Sequence, residues 1–164
     1  FQLSPSAAFG NGFHPSTTLA IQALQTYTQP GISMLDIGSG SGILSIVAAK
    51  LGAGSITAID IDPLAIKSTS HNAEINGISD IIVLQTPVQE INRQYDLVVA
   101  NLPASILDKY AEEICATVNI CGILILSGLV QKQTQMIDQR YKAFGLEKTE
   151  EILDNEWKSM IYKK

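Results

Sequence analysis

Polar side chains with the means to bind a ligand follow three short apolar runs of this chain. Asp36 precedes a glycine loop in which Gly38 and Gly40 leave room for a ligand to approach the backbone. Asp60 and Asn101 stand at the ends of two further runs. A carboxylate accepts hydrogen bonds from sugar hydroxyls or an ammonium group, and an Asn oxygen accepts them from an amine. The pattern indicates a strand–loop–helix crossover that binds a nucleotide, with the polar side chains of Asp60 and Asn101 nearby.

The spacing of the glycines narrows the choice of ligand. A dinucleotide loop needs glycine at position 43, where this chain has Ile43, and the Gly-Lys-Ser/Thr of a phosphate loop does not occur. An acid, G-x-G-x-G and a second acid roughly 20 residues later instead resemble the S-adenosylmethionine site of class I methyltransferases. The resemblance implies that Asp60 binds the ribose hydroxyls and that Gly38 and Gly40 contact the amino-acid part. Asp36 either contacts the ammonium group, directly or through water, or caps loop amides; the sequence leaves both open.

Asn101 is the candidate catalytic residue. Its side-chain oxygen and the adjacent carbonyl can accept hydrogen bonds from an amine and aim the amine lone pair at a methyl group. The alternative is a structural Asn-x-Pro turn through Leu102 and Pro103. Ala104 stands where nucleic-acid amino methyltransferases have an aromatic ring that stacks on an extruded base. An aliphatic amine such as lysine is therefore the favoured target, with its pKa of about 10.4 lowered by desolvation.

The elements that position these residues alternate between strands and helices. Asp62 as N-cap and Pro63 at the first helical position mark the start of one helix. The predicted helices are 16–27, 43–51, 63–76, 105–117 and 131–144, and the predicted strands are a run ending at 36, then 55–59, 81–84, 95–100, 121–126, 146–152 and 158–162. This order predicts an α/β, Rossmann-like, doubly wound fold with a mainly parallel seven-stranded sheet and an antiparallel C-terminal strand. In such sheets the ligand binds beyond the carboxyl ends of the strands.

Composition limits the classes of function. A length of 164 residues suits one domain, which we divide into an N-terminal loop and helix covering the cofactor site (1–30) and a core (31–164). Sixteen acidic against eleven basic residues give a net charge of −5, which disfavours direct nucleic-acid binding and favours a basic partner. No membrane segment or metal-ligand pattern is evident. Cys115 and Cys121 are expected to be buried free thiols in a reducing, cytoplasmic setting.

A more specific resemblance begins at residues 8–18, A-F-G-N-G-F-H-P-S-T-T. Together with the glycine loop, Ala58-Ile59-Asp60-Ile61-Asp62-Pro63, Val98-Val99-Ala100-Asn101, Leu126-Ser127-Gly128 and Glu156-Trp157, it resembles the ribosomal protein L11 methyltransferase family (PrmA type) over almost the whole chain. The resemblance implies S-adenosylmethionine as cofactor, contacted by Thr17, Gly38, Asp60 and Asn101. It also implies that residues 9–17 close over the site.

The function implied is methylation of lysine or N-terminal amines of a basic ribosomal protein. Methylation of an RNA base or a small molecule, and a non-catalytic S-adenosylmethionine-binding module, are the alternatives. Asn11 and Phe13 replace threonines usual in the family, and Leu102-Pro103 replaces Ile-Leu, so substrate geometry is expected to differ. Family members carry a separate N-terminal domain for substrate recognition that these residues do not include. We therefore expect an isolated catalytic domain or a relative with another target.

Overall fold

The fold is described by a computed structural model for residues 2–3 and 14–164. Within these residues, the strands are β1 (Ser33–Ile37), β2 (Ser55–Asp60), β3 (Ile81–Gln85), β4 (Tyr95–Asn101), β5 (Val118–Val130), β6 (Glu147–Asp154) and β7 (Trp157–Lys163). The α-helices are α1 (Pro15–Tyr27), α2 (Ile43–Lys50), α3 (Pro63–Ile75), α4 (Ala104–Lys109), α5 (Ala111–Ala116) and α6 (Thr134–Ala143). None of the described helices is long and apolar enough to cross a membrane.

The seven strands form one sheet in the order β3-β2-β1-β4-β5-β7-β6. Neighbours from β3 through β5 pair in parallel, and β7 pairs antiparallel with both β5 and β6. The predicted doubly wound α/β architecture with antiparallel C-terminal strands is confirmed. The strand order reverses between β1 and β4, so a ligand crevice is expected beyond the carboxyl ends of these two strands.

Alternate side chains of each inner strand enter two different cores. In β4, Leu97 and Val99 pack in a core with α1 and α2, whereas Val98 and Ala100 pack in a core with α4, α5 and α6. Successive side chains of a strand point to opposite faces. Asn101 continues the register of Leu97 and Val99, so its side chain lies on the face covered by α1. Because both faces are covered, the inner strands are buried and their apolar runs are continuous.

Helix α3 begins where its start signals predict. Asp62 Oδ1 accepts a hydrogen bond from Leu64 N at 2.8 Å, and Pro63 occupies the first helical position. Pro63 has no N–H to leave unsatisfied, and the Asp62 carboxylate satisfies one of the free amides of the first turn. The start of α3 is thereby placed directly after Asp60, the last residue of β2.

Two predicted elements differ from the structure in kind rather than only in their bounds. The prediction of a buried strand at 81–84 is wrong, because β3 is an edge strand with a single neighbour and leaves Ile82 and Leu84 52% and 40% exposed. The prediction of one helix over 105–117 is also wrong. Tyr110, with φ −110° and ψ 23°, interrupts it between α4 and α5. Neither Gly nor Pro marks this break in the sequence.

Strand β5 extends beyond the predicted 121–126 at both ends, and bulges interrupt its pairing with both neighbours. Its register against β4 shifts between Tyr95 and Leu97, and Cys121 lies in the bulged segment with φ 65°. The bulge turns Cys121 outward, so the prediction that both thiols are buried holds for Cys115 and is wrong for Cys121. The helix predicted from 131 begins as a 3-10 turn at 131–133.

Candidate functional site

The glycine loop between β1 and α2 is tied to the end of β2. The amides of Gly38 and Ser39 donate to Ile59 O at 2.9 and 3.0 Å. The backbone of Gly42 has φ +78°, and a Cβ there would lie 2.8 Å from Thr69 Cγ2. Only glycine allows this conformation and this approach of α3 without displacement. The loop is therefore packed closely between the sheet and α3.

Buried polar side chains of α3 hold the loop carbonyls. Thr69 Oγ1 lies 3.0 Å from Ser39 Oγ and donates to Gly40 O at 3.2 Å. Asn72 Nδ2 donates to Ser41 O at 2.8 Å. Both α3 side chains are fully buried. Sequence reasoning missed them; the signal was two polar residues three apart on the face of α3 that also carries small apolar residues.

Asp60 stands at the end of β2 with both carboxylate oxygens engaged by backbone amides. Oδ2 accepts from Gly40 N and Oδ1 accepts from Asp62 N, each at 3.0 Å. The carboxylate is thus fixed between the glycine loop and the start of α3. Each oxygen has a further lone pair with which to accept from a ligand hydroxyl.

Asp36 lies behind the loop and caps α2. Its Oδ2 accepts from Ser45 N at 3.2 Å and from Ser45 Oγ at 2.7 Å, while no described residue donates to Oδ1. Burial raises the pKa of Asp36 to about 6, opposed by the Ser45 hydrogen bonds and reinforced by the charge of Asp60. Asp36 thus accepts from the first turn of α2 rather than from the loop amides that one interpretation predicted, and its contact with an ammonium group stays a prediction.

Asn101 ends β4 at the sheet's switch point. Its Nδ2 donates to Thr17 Oγ1 at 3.3 Å, and its buried Oδ1 receives no hydrogen bond from any described residue. A Cβ on Gly128 would lie 3.2 Å from Asn101 Oδ1 and 2.6 Å from Leu102 O, at a backbone φ of +86°. Gly128 therefore lets β5 approach the Asn101 side chain and the Leu102 carbonyl closely.

A second irregularity of β5 fixes the start of α1 over this region. The register between β5 and β7 shifts between Leu126 and Leu129. In the bulge, Ser127 Oγ donates to Ser16 O at 2.8 Å, and both residues are buried. Bulges next to functional sites redirect side chains in this way. The bulge thus places the first turn of α1 against the end of β5.

His14 caps α1 and faces Trp157. Its Nδ1 accepts from Ser16 N at 3.3 Å and lies 2.7 Å from Ser16 Oγ. The His14 ring meets the Trp157 ring edge to face, with centroids 4.5 Å apart. The resemblance also predicts that residues 9–17 close over the site. Of these, residues 9–13 lie outside the described part of the chain, so the closure stays a prediction.

A crevice of about 830 Å³ opens over these residues, within the usual range of cofactor sites. Of the predicted site residues, Gly38, Gly40, Asp60 and Asn101 line it, whereas Thr17 and Asp36 are buried behind its wall. Sequence reasoning missed most of the lining. The missed residues beyond Asp60 are Ile61, Thr86, Pro87, Val88 and Gln89, and those beyond Asn101 are Tyr110, Val130, Gln133 and Trp157.

The comparisons with known proteins agree over the whole chain. Residues 1–164 match the family model described as ribosomal protein L11 methyltransferase (PrmA). A curated protein of that name from an Exiguobacterium species is 38% identical over 164 residues, covering 99% of this chain and 53% of that protein. One from Bacillus cereus (strain B4264) is 38% identical, covering 98% and 52%. The chain therefore spans about half the length of the curated relatives it matches.

A solved structure is also similar. The crystal structure of ribosomal protein L11 methylase from Lactobacillus delbrueckii subsp. bulgaricus superposes with a TM-score of 0.91 at 32% identity. The match covers 98% of this chain and 82% of that one. The overall fold of this chain is therefore that of a solved structure.

Proposed function

Because the chain belongs to the ribosomal protein L11 methyltransferase family, we propose that it catalyses S-adenosylmethionine-dependent methylation of amines on that ribosomal protein. The observation that carries the proposal is Asn101 Oδ1, a buried acceptor to which no described residue donates, on a residue that lines the crevice. Leaving a buried acceptor unsatisfied costs about 1–3 kcal/mol. An N–H of a bound amine would satisfy it.

The residues of the crevice fit the proposed cofactor. When bound, it supplies an electrophilic methyl group on a positively charged sulfur. Asp60 retains lone pairs for two ribose hydroxyls although its oxygens already accept from Gly40 and Asp62 amides. Val88 and Pro87 give the crevice an apolar wall beyond Asp60, suited to a planar base. Gly38 and Gly40 expose backbone to the amino-acid part of the ligand.

The part of the crevice that Asn101 lines suits an uncharged amine. Leu102, Pro103, Val130 and Trp157 give the crevice further apolar surface. Desolvation there disfavours an ammonium ion and lowers the pKa of a lysine from about 10.4. Asn101 Oδ1 then accepts an N–H from the neutral amine and directs its lone pair away from Asn101. The proton that the amine loses on methylation passes to solvent, so the chain needs no titratable base.

The proposed substrate is a basic protein, and the net charge of −5 favours its approach. We propose that methylation takes place in the cytoplasm and that residues 1–30 form the part of the domain that covers the cofactor. Within the described part, His14 and Ser16 line the crevice at the start of α1. Thr17 contacts Asn101 there, which supports a role in the site.

The test is methyl transfer from radiolabelled S-adenosylmethionine to purified ribosomal protein L11. Both the chain and its fusion to the part of the Exiguobacterium relative that the match leaves out are assayed, because that part is a candidate for substrate recognition. Asn101→Ala should lower kcat at least tenfold while S-adenosylhomocysteine affinity stays within a few-fold. Label entering protein-free ribosomal RNA, or no transfer by either protein, would contradict the proposal.

A further inference from the structure

The side-chain amide of Gln133 is held in one orientation. Gln133 ends the 3-10 turn of residues 131–133, and its Oε1 accepts a hydrogen bond from Val130 N at 3.1 Å. A backbone N–H can only donate, so the amide atom that faces it is the oxygen. The NH2 group of Gln133 therefore points away from Val130.

The turn that carries Gln133 is itself fixed. Gln131 N donates to Glu156 O at 3.1 Å, which ties the turn to the hairpin between β6 and β7. Thr134 Oγ1 donates to Gln131 O at 2.9 Å and joins the turn to α6. Gln133 thus stands on a rigid support rather than on a free surface loop.

Gln133 is half-buried and lines the same crevice as Asn101. No described residue accepts a hydrogen bond from its Nε2. Gly128 lies close to Asn101 Oδ1. Val130, whose amide N–H donates to Gln133, is two residues further along β5, which is roughly 7 Å at a rise of 3.3 Å per residue. An extended lysine side chain places Nζ about 6 Å from its Cα, given 1.5 Å bonds. The length of an extended lysine side chain is therefore comparable to the spacing of Gly128 and Val130 along β5.

We propose that Gln133 recognises the substrate as a polypeptide. With a lysine amine at Asn101 Oδ1, the Gln133 NH2 group donates to a backbone carbonyl of the residue that carries the amine. An NH2 group has no acceptor capacity, so a carbonyl oxygen is the complement it requires. Gln133 is a specificity-determining residue that favours a lysine within a chain over a free alkylamine. This assignment rests on the proposed amine site at Asn101.

The test compares an amine that carries a peptide backbone with one that carries none. The 164-residue chain, saturated with S-adenosylhomocysteine, is titrated at one alkaline pH with Nα-acetyl-lysine N-methylamide and with n-butylamine, and dissociation constants are taken from NMR shifts of crevice residues. The ratio of the two constants reports what the backbone amides add to binding, since the primary amine is the same, and the Gln133 variants then assign that gain to the contact with the carbonyl. In the parent chain the lysine diamide should bind about threefold to tenfold more tightly, as expected for one hydrogen bond.

Variants at Gln133 should remove this preference. Gln133→Met loses the donor, and Gln133→Glu keeps an acceptor for Val130 N but presents a carboxylate to the carbonyl; in both, the ratio should fall to about one. Gln131→Met is the matched control in the same turn and should keep the parent ratio. An unchanged ratio in Gln133→Met, with S-adenosylhomocysteine affinity intact, would overturn the role of Gln133. Failure of both amines to bind the parent chain would instead contradict the proposed amine site and this assignment with it.

Discussion

Asn101 at the end of β4 is hydrogen-bonded to Thr17 in the first turn of α1, 84 residues away in sequence, with Asn101 Nδ2 donating to Thr17 Oγ1 at 3.3 Å. The bond engages the NH2 group of the amide, whereas the buried Oδ1 receives no hydrogen bond from any described residue. Thr17 is fully buried, so its hydroxyl is held in place by the packing of α1 against the sheet. Helix α1 thereby sets the orientation of the candidate catalytic side chain.

Replacing Thr17 by Val removes the hydroxyl at nearly constant volume. Asn101 loses the partner that orients it, so kcat for methyl transfer should fall about tenfold, the upper range for one neutral hydrogen bond. Thr17→Ser keeps the hydroxyl and should stay near the parent rate. The measurement is steady-state kinetics alongside calorimetry with S-adenosylhomocysteine. A loss confined to cofactor affinity would contradict this orienting role and support the direct cofactor contact that the family resemblance implies.

Gly128→Ala tests the close approach of β5 to the site. The added Cβ would lie 2.6 Å from Leu102 O and would require a backbone φ of +86°. Gly145 is the matched control, with φ +83° and no atom within 4 Å of an added Cβ. Denaturant unfolding should show a loss of about 1 kcal/mol for Gly145→Ala, from backbone conformation alone. Gly128→Ala should lose more and abolish methyl transfer; equal losses with retained activity would contradict this.

The raised pKa of Asp36 predicts that the free energy of unfolding depends on pH. Its pKa is raised to about 6 by burial, above its ordinary 3.8 in the unfolded chain. Between these pH values the folded chain binds the proton more tightly, so the contribution of Asp36 to stability falls as pH rises from about 4 to about 6 and is constant above. At 1.36 kcal/mol per pKa unit, the change is on the order of 3 kcal/mol.

The measurement for Asp36 is the free energy of unfolding of the parent and of Asp36→Asn at several pH values. Asn cannot titrate, so the difference between the two proteins isolates Asp36 from other acids. The parent should lose stability relative to Asp36→Asn between pH 4 and 6. A difference that stays constant, or one that moves in favour of the parent as pH rises, would show that Asp36 is not a buried carboxyl of raised pKa.

Much of the site's placement follows from local sequence rules. The apolar run before Asp36, the glycines after it and the Asp62-Pro63 helix start place three elements within a residue or two of their observed ends. The carboxyl ends of parallel strands bring Gly38, Asp60 and Asn101 to one crevice. These features depend only on neighbours in the chain or on the regular geometry of a parallel sheet. The face of β4 on which Asn101 lies, and its cover by α1, are seen only in the structure.

The features that sequence reasoning missed depend on contacts between distant segments. No local signal separates an edge strand such as β3 from a central one, because both are short apolar runs. The bulge at Ser127 and Gly128 reflects how β7 pairs with β5. Trp157 and Gln133 enter the crevice only because the hairpin and the turn after β5 lie side by side. Tertiary pairing, rather than propensity, determines these positions.

We propose that the crevice over β1, β2 and β4 binds S-adenosylmethionine through Asp60. Calorimetric titration of S-adenosylhomocysteine into the chain and into Asp60→Ala tests it most directly, with Asp80→Ala, an exposed acid away from the crevice, as the charge-matched control. We expect the parent and the control to bind, and Asp60→Ala to bind at least tenfold more weakly, about 1.4 kcal/mol for the lost charge-assisted hydrogen bonds. Equal affinity of all three proteins, or no binding by the parent, would contradict the proposal.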